Sequence, residues 1–321
     1  MGTARCPALG PTPTPTPTLG PGLVVLDPGR LTTVQDLGRP GHAHEGVPPS
    51  GALDLPSHRL ANRLAGNDPT AATLEITLGG LAVTLEGPGP ARAIAVTGAP
   101  TPLLVGGQPA PLYLPVGVRP GETLVLGTPG HGLRSYLAVA GGIAVATTLG
   151  SRSTDLLSGL GPPPLRAGDH LPLGPPPPGP PPPGLDVAAA ASPAAAGTAA
   201  RPSVVALHPG PRPDALAPGG WETLTSAAWV VAPASNRVGL RLAGPALRTV
   251  SGELPPEGMA TGGVQVPPGG QPVVFLADHP VTGGYPVVGV VDAEADLARL
   301  AQLRPGSVLR LAVGASPPAT P

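Results

Sequence analysis

The sequence contains no lysine; all 18 of its basic residues are arginine. This removes a P-loop lysine, a Schiff-base lysine and any point on this chain where biotin or lipoate could be attached. The single cysteine, Cys6, excludes disulfide frameworks, CxxC zinc sites and a Cys-His nucleophile. Aromatic residues are almost as scarce: Tyr113, Tyr136, Trp221, Trp229, Phe275 and Tyr285 are the whole set. The cores must therefore be built from Val, Leu, Ile and Ala, and an exposed aromatic carries information. The arginines stand singly on a chain of formal net charge −1, so the basic cluster needed for nucleic acid or anionic lipid is missing. No apolar run approaches the ~20 residues of a membrane span, and no secretory leader pattern is present. A cytoplasmic location is expected, with serine, carboxylate, histidine and arginine chemistry remaining.

A chain of 321 residues exceeds the roughly 250–300 at which single cores stop growing, so two domains are expected. Much of its proline lies in two low-complexity tracts. PTPTPTPT at 11–18 predicts an extended tail, because alternating proline fixes φ and offers no apolar face. PPPPGPPPPG at 175–184 and the Ala-rich stretch after it predict an interdomain linker over 174–202, with a long surface loop as the alternative. The expected organisation is a disordered Pro/Thr-rich tail at 1–21, a β half at 22–173, the linker, a β half at 203–314 and a disordered tail at 315–321.

Between the tracts the pattern is one of short strands. TLEITL at 73–78 and LAVTLE at 81–86 each alternate apolar and polar residues and predict a hairpin across Gly79-Gly80. PVVFLAD and PVVGVVD flank the turn-like HPVTGGY in the second half. VRPGETLVL, LRAGDHLPL and LRPGSVLRL, beginning at 118, 165 and 303, each predict a tight turn into a strand, and they hint that the halves are built alike. Only two helices are predicted. One is capped by Asp54, buries Leu60, Ala61, Leu64 and Ala65, and stops at Gly66; the other starts at Asp292 and buries Ala293, Leu297, Leu300 and Ala301. Many strands with few helices predict β-barrel or β-sandwich domains.

Three stretches could carry chemistry. QDLGRPGHAHEGVPPSGALD, at 35–54, reads as a rigid Gly/Pro loop ending in the Asp54 cap. Its His42 and His44 would share a side on a strand, but no further ligand at metal spacing accompanies them, and ordinary loop histidines are the simpler reading; no metal is assigned. DHPVTGGYP, at 278–286, places Asp278, Thr282 and Tyr285 around Gly283-Gly284, whose N–H groups could form an anion-binding nest; a plain hairpin turn is the alternative. SNRVGLRL, at 235–242, spaces Arg237 and Arg241 so that on a strand both would emerge on one face, suiting a carboxylate or phosphate; salt bridges to Glu253 or Glu257 are the alternative. Arg134 in RSYLAVAGG and Arg152 in GSRSTD raise the same question. GSRS lacks the GxSxG form of a nucleophile elbow.

Together VQDLGRPG, GVPPSGALD, ANRLAGN, LEITLGG, RSYLAVAGG, GSRSTD, SNRVGLRL, EGMATGGVQVPPGGQP and TGGYPVVGVV resemble, in order along the chain, the biotin-dependent carboxyltransferase family, also called allophanate hydrolase subunit 2. The resemblance implies a mainly β fold of two cyclophilin-like β-barrel domains with few short helices. It also implies two partners, a subunit 1 homologue of the B type found in 5-oxoprolinase and a LamB/YcsF-type A subunit, with ATP-dependent opening of 5-oxoproline to glutamate as the reaction. ATP is the implied cofactor, bound here or on a partner.

The matching motif positions that form the candidate catalytic set are Asp36, Arg39, Ser50, Asp54, Asn236, Arg237, Arg241, Gln265, Asp278, Thr282 and Tyr285. Arg134, Arg152, Gly283 and Gly284 are the candidates for holding the cofactor, and Glu75 and Glu257 are further motif positions. Pro256 departs from the family pattern, which tends to carry serine there, and His42 stands where an aromatic is common. Two other activities stay open: carboxyl transfer as in urea carboxylase, with biotin carried on another chain, and a non-catalytic regulatory role like that of relatives that antagonise a kinase inhibitor.

Overall fold

The computed structural model describes residues 20–179, 201–250 and 255–314. Nearly all of the expected N-terminal tail, most of the expected linker and the expected C-terminal tail lie outside the described residues.

Among the described residues the architecture is mainly β, as expected, with three short α-helices where the sequence predicts two. In the first half, a six-stranded sheet runs in the order His170–Pro172, Gly22–Pro28, Leu81–Glu86, Thr123–Leu126, Leu103–Val105, Gln108–Pro109. A five-stranded sheet runs Leu31–Gln35, Thr73–Thr77, Arg134–Val139, Arg92–Gly98, Val116–Val118. Leu23, Val25 and Val83 from the first meet Leu74, Ile76, Val96 and Leu137 from the second in one core.

The second half closes a seven-stranded barrel: Ser203–Pro209, Val287–Val290, Gly263–Gln265, Val273–Phe275, Gly239–Ala243, Trp229–Val231, Val308–Val313. Closure leaves no sheet edge exposed. Trp229 is fully buried in this core with its indole N–H donating to the Leu224 carbonyl at 2.9 Å, so its one polar atom is satisfied.

The predicted first helix, α1 (Leu55–Leu64), forms for local reasons. The Asp54 carboxylate accepts from the Ser57 N–H at 3.0 Å, Pro56 sits in the first turn where no donor is missed, and Gly66 leaves the helix at φ 77°. A second helix, α2 (Gly220–Ser226), was not predicted; its GWETLTS sequence has neither a side-chain cap nor a long apolar stripe. The last helix, α3 (Glu294–Ala301), begins two residues later than expected, after Ala293, and Asp292 does not cap it. Ala293 is exposed, and Asp296 takes the buried place, where its carboxylate accepts from the Ala206 N–H at 2.8 Å.

The predicted hairpin across Gly79-Gly80 does not form. Thr73–Thr77 pairs with Leu31–Gln35 and Arg134–Val139, whereas Leu81–Glu86 pairs with Gly22–Pro28 and Thr123–Leu126. The chain crosses between sheets there, through Leu78, Gly79 and Gly80, all at positive φ. HPVTGGY is not a hairpin turn either. Its flanking strands both pair with Gly263–Gln265 from opposite sides, and Thr282–Gly283 forms a separate ribbon with Glu257–Gly258.

The three repeated turns match their reading closely. In each, the residue after glycine accepts from the backbone N–H of the arginine three positions earlier: Glu122 from Arg119 at 2.7 Å, Asp169 from Arg166 at 2.7 Å, Ser307 from Arg304 at 3.2 Å. Gly121, Gly168 and Gly306 lie at φ 88°, 90° and 86°, which only glycine adopts without strain.

Candidate functional site

The junction of the halves is polar and sealed. Arg237 precedes its strand and is about 1% exposed; its Nε and Nη2 donate to the two oxygens of Asp278 at 2.8 and 2.9 Å, a bidentate pair. The same guanidinium crosses to the first half, where Nη1 donates to Glu75 at 2.6 Å and Nη2 to the Gly51 carbonyl at 2.6 Å. Glu75 also accepts from the Leu53 N–H at 3.0 Å and the Tyr136 hydroxyl at 2.7 Å, and that hydroxyl accepts from the Asp54 N–H at 2.8 Å. Ser50, held at φ 52°, donates to Asp278 at 2.7 Å.

Gln302 uses its whole amide. Oε1 accepts from the N–H groups of Leu133 and Arg134, and Nε2 donates to the Arg134 carbonyl and to Asp54 at 2.7 Å. Arg134 lies buried beside Glu75 at 3.4 Å and donates to the Ala301 carbonyl. Outside this core, Arg59 pairs with Glu294 at 2.7 Å.

Electrostatics follow from the sealing. Burial pushes the Glu75 carboxyl up, but Arg237, Arg134, the Leu53 N–H and the Tyr136 hydroxyl outweigh it and hold the group below its usual 4.5. Burial pushes Asp54 up, only partly offset by its bonds from Gln302 and Ser57. For Arg237, burial is outweighed by Asp278 and Glu75, which hold it charged. A carboxyl with a depressed folded pKa contributes stability that is complete above its unfolded value and lost as pH falls through the folded one. Denaturant unfolding from pH 7 to pH 3 is therefore expected to show the gap between wild type and Glu75→Gln shrinking below about pH 4.5. A gap that stays constant or widens toward pH 3 contradicts this role.

Asp36 anchors a neighbouring group. Its carboxylate accepts from the hydroxyls of Ser151 and Ser153, both at 2.6 Å, from the Arg152 N–H at 2.6 Å and from the Gly38 N–H at 2.8 Å. Arg39, about 2% exposed, donates to the Ser153 carbonyl, and the Arg152 side chain donates to the Val145 carbonyl at 2.9 Å. These contacts fasten the 147–154 loop. His44 lies on the 3-10 turn Ala43–Glu45 and His42 just before it, neither on a strand, with His42 on Glu45 at 2.8 Å. Among the described residues, no three His, Cys, Asp or Glu side chains are placed to hold a metal ion.

The remaining candidates are exposed or sit at one end of the barrel. Arg241 is exposed and does not share a face with buried Arg237: Asn236 accepts from the N–H groups of Val238 and Gly239, and this turn leaves Arg237 ahead of the strand, which begins at Gly239. Gln265 is buried, its amide donating to the Tyr285 carbonyl at 2.5 Å and to the Met259 sulfur at 3.0 Å. Tyr285 is 44% exposed and Thr282 is exposed on the ribbon. Gly283 and Gly284 do not take the left-handed φ of a nest, so the anion cradle expected of them is not formed. Arg212, unnoticed in the sequence, pairs with Glu257 at 2.6 Å across this ribbon.

At the junction the Nε, Nη1 and Nη2 of Arg237 are all engaged within the protein. Ser50, Asp54, Arg134, Arg237 and Asp278 are brought together there, Asp36, Arg39 and Arg152 lie in the neighbouring group, and Gln265, Thr282, Gly283, Gly284 and Tyr285 lie on and beside the Thr282–Gly283 ribbon. Glu75, Tyr136 and Gln302 complete the junction. Glu75 had a signal, a lone acid on an alternating strand; Gln302 had none.

A closed barrel joined to a second β half through buried ion pairs defines a two-part β protein. The chain belongs to the family described as carboxyltransferase domain, subdomain A and B, which matches residues 45–313. It is 39% identical over 285 residues to the C subunit of 5-oxoprolinase from Escherichia coli, covering 88% of this chain and 87% of that protein. It is 33% identical to urea amidolyase of Saccharomyces cerevisiae over 88% of this chain but only 16% of that protein. The solved structure of K. lactis urea amidolyase matches with a TM-score of 0.80 at 31% identity, covering 90% of this chain and 18% of that one.

Proposed function

We infer that this chain is the C component of a multi-subunit, ATP-dependent 5-oxoprolinase that opens 5-oxoproline to glutamate in the cytoplasm, and that it is inactive alone. The observation that carries this is the 39% identity extending over 87% of a 5-oxoprolinase component. The partners on this reading are a homologue of the B component and a LamB/YcsF-type A subunit. Nucleotide binding does not fit the residues whose types suggested it: Arg134 is sealed, the Arg152 side chain is tied to the Val145 carbonyl, and Gly283-Gly284 forms no nest. ATP is accordingly assigned to a partner.

Carboxyl transfer is the second reading, favoured by the family description and the urea amidolyase relatives. Without lysine, this chain would need biotin delivered on another polypeptide. Avidin separates the two: the assembled complex is expected to turn over 5-oxoproline at an unchanged rate after avidin treatment. Loss of turnover that free biotin restores would establish carboxyl transfer instead.

A further inference from the structure

Arg241, whose residue type suits an anion, belongs to none of the groups described above. It stands on the outside of the closed barrel. Leu240, Trp229, Leu309 and Val205, on four neighbouring strands, point into the core, so alternation turns Arg241, Val230, Arg310 and Val204 outward. Register fixes how they lie. Val230 faces Ala243 on one side and the buried Val308 on the other, and Arg310 faces Val204. Arg241 is two positions from Ala243 and Arg310 two positions from Val308, on opposite sides of this apolar row. The two arginine backbones are therefore about 13 Å apart along the strands and about 10 Å apart across them.

The charge of this face sets it apart. Elsewhere Arg59, Arg119, Arg212 and Arg299 each meet a carboxylate, whereas among the described residues the side chains of Arg241 and Arg310 meet none. The strands Ser203–Pro209, Trp229–Val231, Gly239–Ala243 and Val308–Val313 contain no acidic residue. They present two uncompensated arginines on a chain of formal net charge −1. Val230, 41% exposed, lies between the arginines, and Val204, 48% exposed, lies beside Arg310. Because the barrel has no free edge, a partner meets side chains here and cannot add a strand. A second copy docked about a two-fold axis would set these arginines against each other. Two separated cations flanking valine are too sparse for nucleic acid or anionic lipid. The complement is a protein surface with two carboxylates on either side of an apolar strip, which guanidinium groups pair with bidentately.

We propose that this outer face of the barrel docks the B-type partner subunit, which sets carboxylates on Arg241 and Arg310 and covers Val230 with an apolar strip. The identity of the partner rests on the 5-oxoprolinase reading; the chemistry of the face does not. Titration calorimetry of the full chain with the purified B-type subunit is expected to show binding that weakens as salt rises. Arg241→Gln combined with Arg310→Gln should weaken it about tenfold or more and flatten its salt dependence. Val230→Ser should weaken it and leave the salt dependence in place, and Arg166→Gln, at an exposed arginine of the first half, should leave binding within twofold of wild type. Absence of binding, or binding that the double arginine variant leaves within twofold of wild type, overturns the assignment. So does a double variant that loses the A-type subunit or self-association in place of the B-type subunit. A complex that assembles through this face without turning over 5-oxoproline leaves the docking surface standing and removes the 5-oxoprolinase reading. Turnover by a complex whose assembly the double variant does not weaken leaves that reading standing and removes the surface.

Discussion

Arg237→Ala is expected to lower the free energy of unfolding by about 3–5 kcal/mol, because removing one member of a buried ion pair leaves its partners charged and desolvated. Here Asp278 loses its ion-pair partner and Glu75 keeps only Arg134, and both are no more than about 1% exposed. The same substitution leaves the Gly51 carbonyl without its donor. Chemical denaturation of the purified variant measures this, and a loss below about 1 kcal/mol would show that the clamp is not what joins the halves. Replacing Arg134, Arg237, Glu75 and Asp278 together with apolar residues of similar volume should cost much less, since none of these four charges then remains buried. This second variant separates an ion-pair effect from simple loss of packing.

Leu53→Ala should cost about 2–5 kcal/mol by the same measurement, the range for deleting a buried leucine side chain. Leu53 belongs by sequence to the first half but lies in the core of the second, among Leu300, Leu276 and their neighbours. A full-sized cost accompanied by one cooperative transition for both barrel and sheets means the halves unfold together. Two separated transitions, with only one moved by Leu53→Ala, would mean that each half is stable by itself.

What was legible in the sequence was what local physics decides. The Asp54 cap and the three arginine-proline or arginine-alanine turns depend on residues within four positions of each other, and the structure builds them as read. The hairpin across Gly79-Gly80 failed because alternation fixes which side chains share a face without fixing which strand lies alongside. Arg237 and Arg241 were set on one face by their spacing, yet the Asn236 turn puts only Arg241 on the strand. The larger omission was Arg212. Its partner is 45 residues away, and in the run Gly210-Pro211-Arg212-Pro213 nothing distinguishes it from a surface loop arginine.

The candidate positions fall into two groups. Ser50, Asp54, Glu75, Arg237 and Asp278 link the two halves, while Gln265, Gly283 and Tyr285 lie on and beside the ribbon of the second half.

The most direct measurement of the central claim is glutamate formation from 5-oxoproline and ATP by this chain with its two partners, each omitted in turn. The account predicts turnover from the full set, none from this chain alone, and none when it is left out. Full activity from the two partners without this chain would contradict it.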